Sequence, residues 1–186
     1  MKVLKRLYVK NRSAWRKWLQ KNYRSTNEIW LTIYKKHTGK PTVAYIDAVE
    51  EALCFGWIDG QMKSLDKEKF IQRFTPRKPR SNWSETNIER VQKMIKEKKM
   101  TAWGRTIYEA GVKNNRIIPS SKSFSIPSNL RKALAGNKKA WANFQKLAPS
   151  AQLAFVYWVD TAKMDTTRRK RIEKTVQLSA EGKKLV

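Results

Sequence analysis

The sequence predicts an α+β fold: a small, mainly antiparallel sheet packed by helices, followed by a C-terminal helical module. Segments rich in β-branched and aromatic residues alternate with helical segments up to residue 113. Beyond residue 128 the apolar spacing is helical throughout. Hydrophobic residues make up 40% of the 186 residues and include eight Trp, six Tyr and six Phe, which is enough for a packed core.

The N-terminal part opens with a strand and a helix. Residues 3–9 have a short strand pattern, and Ser13 is placed to cap a helix that ends near Asn22. Residues 28–36 alternate aromatic and aliphatic side chains, which is typical of a strand covered at least partly on both faces. The run HTGKP at 37–41 predicts a turn.

A second helix and a hairpin follow. Apolar residues recur at helical spacing over residues 42–55, and Gly56 is placed to end that helix. Residues 57–65 and 69–75 have the pattern of an antiparallel hairpin, and Pro76 stops its second strand.

Two more helices and a linker complete the organisation. Ser84 is a predicted N-cap, and helices are expected at about 85–98 and 100–113. The Ser- and Pro-containing stretch 114–128 lacks periodicity and is a predicted linker. We therefore expect an α+β domain over 1–113, a linker over 114–128 and a helical module over 129–186.

The charge is strongly positive. Lys and Arg number 41 against 15 Asp and Glu, which gives a formal net charge of +26. The excess is spread along the chain, with 13 basic and 4 acidic residues beyond residue 126. Such a field attracts polyanions, among them DNA and RNA. The alternative is a generic solvated basic surface.

The sequence has few residues that could ligate a metal ion or act as a nucleophile. A single cysteine, Cys54, and a single histidine, His37, exclude a disulfide framework and a multi-cysteine zinc site. Cys54 lies in an apolar run and is predicted to be a buried, inert thiol. Asp47, Glu50 and Glu51 are expected to form a solvated acidic face rather than a cation site. No Walker or dinucleotide-binding loop appears, so no cofactor and no metal are predicted.

The sequence predicts a cytoplasmic protein without a membrane span. The basic N-terminal stretch lacks a continuous apolar region and a small-residue cleavage site, so no secretory signal is predicted. The longest apolar stretch, near 153–159, is far shorter than the roughly 18 residues that a span requires.

The hairpin carries the main candidate site. Trp57, Asp59 and Lys63 are expected to share one face of its first strand, because side chains alternate along a strand. Arg73 and Arg77 on the partner strand offer guanidinium forks that suit phosphate or carboxylate. The alternative is structural: Asp59 pairs across the strands with Arg73 or Arg77, and the tryptophans are buried.

Further candidates lie after the hairpin and in the last helix. Trp83, together with Trp57, is predicted to stack on a ligand or to shape the site. The last helix, capped by Asp165 or Thr166, carries a basic cluster near its start. Its predicted phosphate contacts are Arg168, Arg169 and Arg171. The alternative for this cluster is a self-repelling surface.

The run EEALCFGWIDGQ at 50–61, followed by RFTPRKPRSNWS at 73–84, resembles the YdeI/OmpD-associated family of bacteriocin-protection proteins. The C-terminal runs PSNLRKAL, FQKLAPSAQLAFVYWVDTAK and TTRRKRIEKTV resemble the helical module of that family. The resemblance covers roughly residues 10–182. It implies a stress or bacteriocin-protection role and supplies no catalytic residues.

Three functions are consistent with these observations. The favoured one is a non-catalytic binder of a polyanion such as nucleic acid, with Lys63, Arg73, Arg77 and the last-helix arginines on phosphates. The second is an enzyme for a small phosphorylated or carboxylated substrate, with Asp59 or Glu50 as general base. The third is a module that docks a protein partner through its C-terminal helices, which would require an exposed apolar patch over Trp141, Phe144 and Trp158.

Overall fold

The computed structural model describes residues 5–114, 117–120 and 124–185. These residues form two compact units whose boundary falls between Ile117 and Ile118. The predicted linker surrounds this boundary, but part of it lies outside the described residues, so its limits stay a prediction.

Strands are confined to the part of the described chain before Pro119, and helices alone follow it. The strands are β1 (Arg6–Tyr8), β2 (Ile29–Tyr34), β3 (Trp57–Ser64), β4 (Lys69–Pro76), β5 (Trp83–Ser84) and β6 (Ile117–Ile118). The helices of the first unit are α1 (Arg12–Asn22), α2 (Tyr45–Cys54), α3 (Glu85–Lys96) and α4 (Ala102–Asn114). Those of the second unit are α5 (Ser128–Ala135), α6 (Lys138–Lys146), α7 (Pro149–Asp160) and α8 (Asp165–Ala180). The predicted α+β class is confirmed.

The main sheet has the strand order β1-β2-β4-β3. β1 runs parallel to β2, and the other two pairings are antiparallel, so the sheet is mainly antiparallel as predicted. A separate two-stranded sheet joins β5 and β6. Helix α1 packs on the main sheet through Trp15, whose ring centroid lies 5.3 Å from that of Phe74. Both side chains are fully buried, and they mark the centre of the first core.

Several local predictions are confirmed. The Ser84 hydroxyl accepts a hydrogen bond from the Asn87 amide at the start of α3, as predicted. Gly56 follows α2 with φ of 73°, in the left-handed region that favours glycine.

Two predicted caps are wrong. Helix α1 begins earlier than predicted, because the Asn11 side chain accepts from the Ala14 amide, and Ser13 lies inside the helix. Asp165 is the first residue of α8, and the N-cap position is held by Met164 without a side-chain hydrogen bond. Neighbouring Ser, Asn and Asp residues compete for the same capping role, so spacing alone does not choose among them.

The second unit has its own apolar core. Helices α5 to α8 bury Phe144 and Phe155, whose ring centroids are 6.1 Å apart. The other buried apolar side chains of this core are Leu130, Leu134, Ala140, Val156 and Val159. Burial of these apolar side chains is the main force that holds the four helices together.

Candidate functional site

A β-bulge in β3 divides the predicted hairpin constellation between the two faces of the sheet. Asp59 lies opposite Phe74, whereas Lys63 lies opposite Ile71, and the register shifts between Asp59 and Met62. One inserted residue reverses the side-chain alternation of everything that follows it. The prediction that Trp57, Asp59 and Lys63 share one face is therefore wrong for Lys63, whereas Trp57, opposite Pro76, lies on the same face as Asp59.

We call the face that carries Lys63 the outer face, because α1 packs against the opposite, inner face through Trp15. In paired strands, residues directly opposite each other project to the same side. The outer face therefore consists of Arg6 and Tyr8 of β1, Trp30, Thr32 and Tyr34 of β2, Ile58 and Lys63 of β3, and Lys69, Ile71, Arg73 and Thr75 of β4.

Trp30 is the centre of one half of the outer face. Its indole N–H donates to Glu28 Oε1 at 3.0 Å, and Arg73 Nη2 lies 2.5 Å from Glu28 Oε2. Lys63 Nζ lies 5.0 Å from the centroid of the Trp30 ring, within cation–π range. Trp30 is buried at 3% exposure, while Lys63 is exposed. Lys63 therefore lies over the buried ring, while Arg73 is held by Glu28, the residue that also accepts the indole N–H.

Tyr34 is the centre of the other half. The Tyr8 ring meets it edge-on with centroids 5.5 Å apart, and Tyr8 is 42% exposed. Lys40 Nζ and Lys69 Nζ lie 5.0 Å and 5.8 Å from the Tyr34 centroid. Lys40 also forms an ion pair with Glu68 at 2.6 Å. Aromatic surface and ammonium groups alternate here, as in surfaces that bind single strands.

Two outer-face cations have no acidic partner. Arg6 and Lys63 are both exposed, and no carboxylate among the described residues lies within ion-pairing distance of either. Arg73 and Lys69, by contrast, pair with Glu28 and with Asp66. The free positive charge of the face is therefore concentrated in Arg6 and Lys63.

Asp59 lies at the inner side, apart from Arg73. Its Oδ2 accepts a hydrogen bond of 2.6 Å from the Tyr45 hydroxyl. Burial, together with this bond and the charge of Asp59, raises the pKa of Tyr45 to about 12. The cross-strand pair Asp59–Arg73, predicted as an alternative, is not formed, because Arg73 pairs with Glu28.

Arg77 is a buried arginine beneath the loop that leads to α3. Its guanidinium lies 3.7 Å from the Trp83 ring centroid and donates to the Asn82 carbonyl. Burial lowers its pKa to about 10, against the opposing charge of Asp59. No carboxylate of the described residues forms an ion pair with it. Arg77 and Arg73 thus have separate partners and do not form one clamp.

The two tryptophans predicted to stack or shape the site are buried in the first core. The Trp57 indole N–H donates to the Tyr23 carbonyl at 3.1 Å, and Trp57 is 1% exposed. Trp83 is 2% exposed and lies so close to Gly111 that a Cβ on this glycine would fall 2.0 Å from the indole nitrogen. Neither ring is open to a ligand, so the geometry favours shaping over stacking.

A buried ionic network joins α1 and α2. Arg12 bonds Glu50 at 2.9 Å and Glu51 at 2.6 Å, and Arg16 bonds Glu51 at 2.6 Å. Both glutamates are at most 3% exposed, so the predicted solvated acidic face is wrong for them; Asp47 keeps a partly exposed side chain. Burial opposes the charge of Arg12, but the carboxylates outweigh it and raise its pKa.

This network was missed in the sequence, although a signal exists. The two arginines are spaced i, i+4 on one helix, and the acidic residues are spaced i, i+3 and i+4 on the next. Complementary faces on neighbouring helices indicate pairing rather than solvation. Glu50, proposed as a general base, also receives Lys93 at 2.8 Å and is therefore not a free carboxylate.

The arginines of α8 divide into two kinds. Arg171 donates to the Trp158 carbonyl at 2.6 Å, and Arg168 donates to the Ala162 carbonyl at 3.1 Å. These contacts satisfy carbonyls at the C-terminal end of α7, where a positive charge also complements the helix dipole. Arg169 is exposed and remains the candidate phosphate contact of this cluster.

The remaining predictions concern absences and an apolar patch. Phe144 is fully buried and stacks with Trp141, and both Trp141 and Trp158 are half-buried, so they form no exposed patch.

Cys54 is a buried free thiol whose pKa is raised to about 11 by burial, as expected of an inert cysteine. Within the described ranges, no cluster of His, Cys, Asp and Glu is arranged for a metal ion, and none of the helices has the length and apolarity to span a membrane.

Two family models match the chain. The first, described as a domain of unknown function (DUF8412), matches residues 7–107, which is more than half of the chain. The second, described as bacteriocin-protection, YdeI or OmpD-associated, matches residues 123–182. The predicted resemblance of the C-terminal module is thereby confirmed. No curated protein and no solved structure matches significantly.

Proposed function

Since the chain belongs to the DUF8412 family and carries a bacteriocin-protection, YdeI or OmpD-associated domain, we propose that it serves a protective role as a non-catalytic binder of nucleic acid. The outer face of the sheet is the binding surface in this proposal. Lys63, Arg73, Lys69 and Arg6 contact phosphates, and Tyr8 and Tyr34 offer surface to bases.

The observation that carries the proposal is the pairing of aromatic rings with cations on a sheet face whose Arg6, Tyr8 and Lys63 side chains are exposed. Adjacent strands lie about 4.8 Å apart, and alternate residues of one strand about 7 Å apart. On this grid Lys63 lies one strand away from Arg73 and Lys69, which also pair with Glu28 and Asp66. The chain's net charge of +26 adds a long-range attraction that brings a polyanion to the face.

The state of the carboxylates favours binding over catalysis. A general base needs a carboxylate that is free to take a proton from a substrate. Asp59 accepts from Tyr45, and Glu50 is held by Arg12 and Lys93. Both candidates for the enzymatic alternative are therefore engaged within the fold.

The second unit adds to the proposed binding through Arg169. This side chain is exposed near the start of α8, whereas Arg168 and Arg171 hold carbonyls of the same unit. We assign a phosphate contact to Arg169 and a mainly structural role to its two neighbours.

The test is a salt series with labelled single strands and duplexes of matched sequence. Each lost phosphate contact on a single strand lowers the slope of log K against log salt by about 0.7. Arg6→Gln combined with Lys63→Gln is expected to lower the slope by about 1.4, because both cations are unpaired. The matched control combines Lys96→Gln with Lys113→Gln, which removes the same charge from exposed positions of α3 and α4.

An equal loss of slope in the control would assign the attraction to net charge alone and remove the outer face from the proposal. Binding that disappears near physiological salt in the unmodified protein, without preference among nucleic acids, would contradict nucleic-acid binding altogether. Thermal melting of each variant verifies that the affinities compare folded proteins.

A further inference from the structure

The first unit contains a cleft of about 530 Å³ that lies apart from the outer-face residues. It is lined by Tyr23, Arg24, Thr26, Asn27, Pro76 and Trp103. Its volume is within the range of small-molecule sites in proteins. An aromatic wall, a cation and small polar side chains therefore meet in one place.

Trp103 forms the aromatic wall and is 45% exposed. Its position is fixed by the close approach of α4 to the end of α2. A Cβ on Gly104 would fall 2.1 Å from the Cys54 carbonyl oxygen, and a Cβ on Gly56 would fall 3.3 Å from the indole. The Thr101 hydroxyl also donates to the Cys54 carbonyl at 2.6 Å. The ring is thus held at one edge while much of its surface stays open.

Arg24 supplies the cation. Its guanidinium lies 5.4 Å from the Tyr23 ring centroid and 6.0 Å from that of Trp103. It is exposed, and the described part of the chain places no carboxylate within ion-pairing distance of it. Asn27, also in the lining, is exposed and leaves its amide free of hydrogen bonds within the described residues.

We propose that this cleft binds one unpaired nucleotide, with its base against Trp103, its phosphate on Arg24 and its base edge at the Asn27 amide. The inference rests on the proposed function, in which the unpaired nucleotide belongs to a bound nucleic-acid strand. Single strands are then the preferred ligand. A base in a duplex has both faces stacked and cannot reach the indole, whereas an unpaired base or a free nucleotide can.

The experiment uses the full chain and follows the Trp103 indole N–H signal by NMR, assigned with Trp103→Phe. The probes are adenosine monophosphate, inorganic phosphate, a short oligo-dA strand and the same strand in a duplex. We expect the nucleotide and the single strand to shift this signal, and phosphate alone to leave it in place. Trp103→Leu is expected to reduce the single-strand to duplex affinity ratio about tenfold, as loss of one stacked base does.

Arg24→Gln is the second variant, and it is expected to weaken the shift of the Trp103 signal by the nucleotide, because it removes the proposed phosphate contact. Its control is Arg105→Gln, since Arg105 is an exposed arginine of α4 that pairs with Glu109. Shifts by the nucleotide but not by the strand identify a free nucleotide as the ligand. The inference is overturned if neither the nucleotide nor the single strand moves the Trp103 signal. It is also overturned if Arg105→Gln weakens the effect of the nucleotide as much as Arg24→Gln does. An unchanged strand preference in Trp103→Leu, with the outer-face slope intact, rejects the cleft and leaves the proposed function standing.

Discussion

Two regions of the first unit combine tryptophan with arginine and use the pair in opposite ways. On the outer face, Trp30 is buried while Arg73 remains partly exposed beside Glu28. Next to α3, Trp83 and Arg77 are both buried, and the guanidinium carbon lies 3.7 Å from the centroid of the indole ring. The residue types alone therefore do not distinguish an exposed pair from a structural contact. Exposure of the cation does, and an acidic partner does not, because the partly exposed Arg73 pairs with Glu28 and the buried Arg77 has no ion pair within the described residues.

The largest expected effect tests the buried side of this comparison. Glu51→Gln removes the charge of a carboxylate that is 1% exposed and pairs with both Arg12 and Arg16, while Arg12 keeps Glu50 and Asp47. Breaking a buried ion pair in this way typically costs about 3–5 kcal/mol. We expect the free energy of unfolding, measured by urea denaturation, to fall by that amount.

Glu68→Gln is the matched change on the exposed side, where the glutamate pairs with Lys40. Surface pairs contribute about 0–1 kcal/mol. Comparable losses of unfolding free energy in Glu51→Gln and Glu68→Gln would show that the ionic network of α1 and α2 stabilises the fold no more than a surface ion pair does.

Arg77 and Arg73 are expected to differ in what their removal costs. Arg77→Gln removes the contact with Trp83 and the hydrogen bond to Asn82, and is expected to lower the free energy of unfolding by about 1–3 kcal/mol. In this variant the slope of log K against log salt for nucleic-acid binding stays unchanged, because the Arg77 side chain is buried. Arg73→Gln is expected to do the reverse, with about 0–1 kcal/mol of stability lost and the single-strand slope lowered by about 0.7.

Urea denaturation and salt-series binding on the same two variants check this pair of expectations. A lowered slope in Arg77→Gln with unchanged stability would place Arg77 on the ligand. It would also restore the guanidinium clamp that the sequence suggested.

The smallest expected effect concerns pH. The pKa of Tyr45 is about 12 in the folded protein, above the ordinary value near 10, so the folded state holds this proton more tightly. Between about pH 10 and 12 the unfolded state has released the proton and the folded state has not. Stability from this group is therefore complete below pH 10 and falls as pH rises toward 12.

The measurement for this prediction compares urea denaturation at pH 9 and pH 11 for the unmodified chain and for Tyr45→Phe. The variant lacks the titrating hydroxyl, so its stability is expected to decline less between the two pH values. Equal declines would indicate that Asp59 does not hold the Tyr45 proton.

Much of the fold was predictable because its signals are local. Ser84 precedes apolar helical spacing and caps α3 as expected. The alternation of Trp30, Thr32 and Tyr34 with aliphatic residues identified β2 and, in retrospect, one face of the sheet. These features depend on neighbours within a few residues, which a sequence displays directly.

The candidate site was harder to predict because its geometry depends on register and on pairing across the fold. The bulge between Asp59 and Met62 moved Lys63 to the other face, and Gly60, an isolated glycine in a strand pattern, was the available warning. The choice of Glu28 rather than Asp59 as the partner of Arg73 follows from β2 pairing with β4. No local spacing encodes that pairing.

The bulge has a further consequence for how copies of this chain behave together. β3 is an edge strand of the main sheet, and an edge with regular unpaired amides and carbonyls invites another strand to add to it. The bulge and the exposed Lys63 make β3 a poor template for edge-to-edge pairing between copies of the chain.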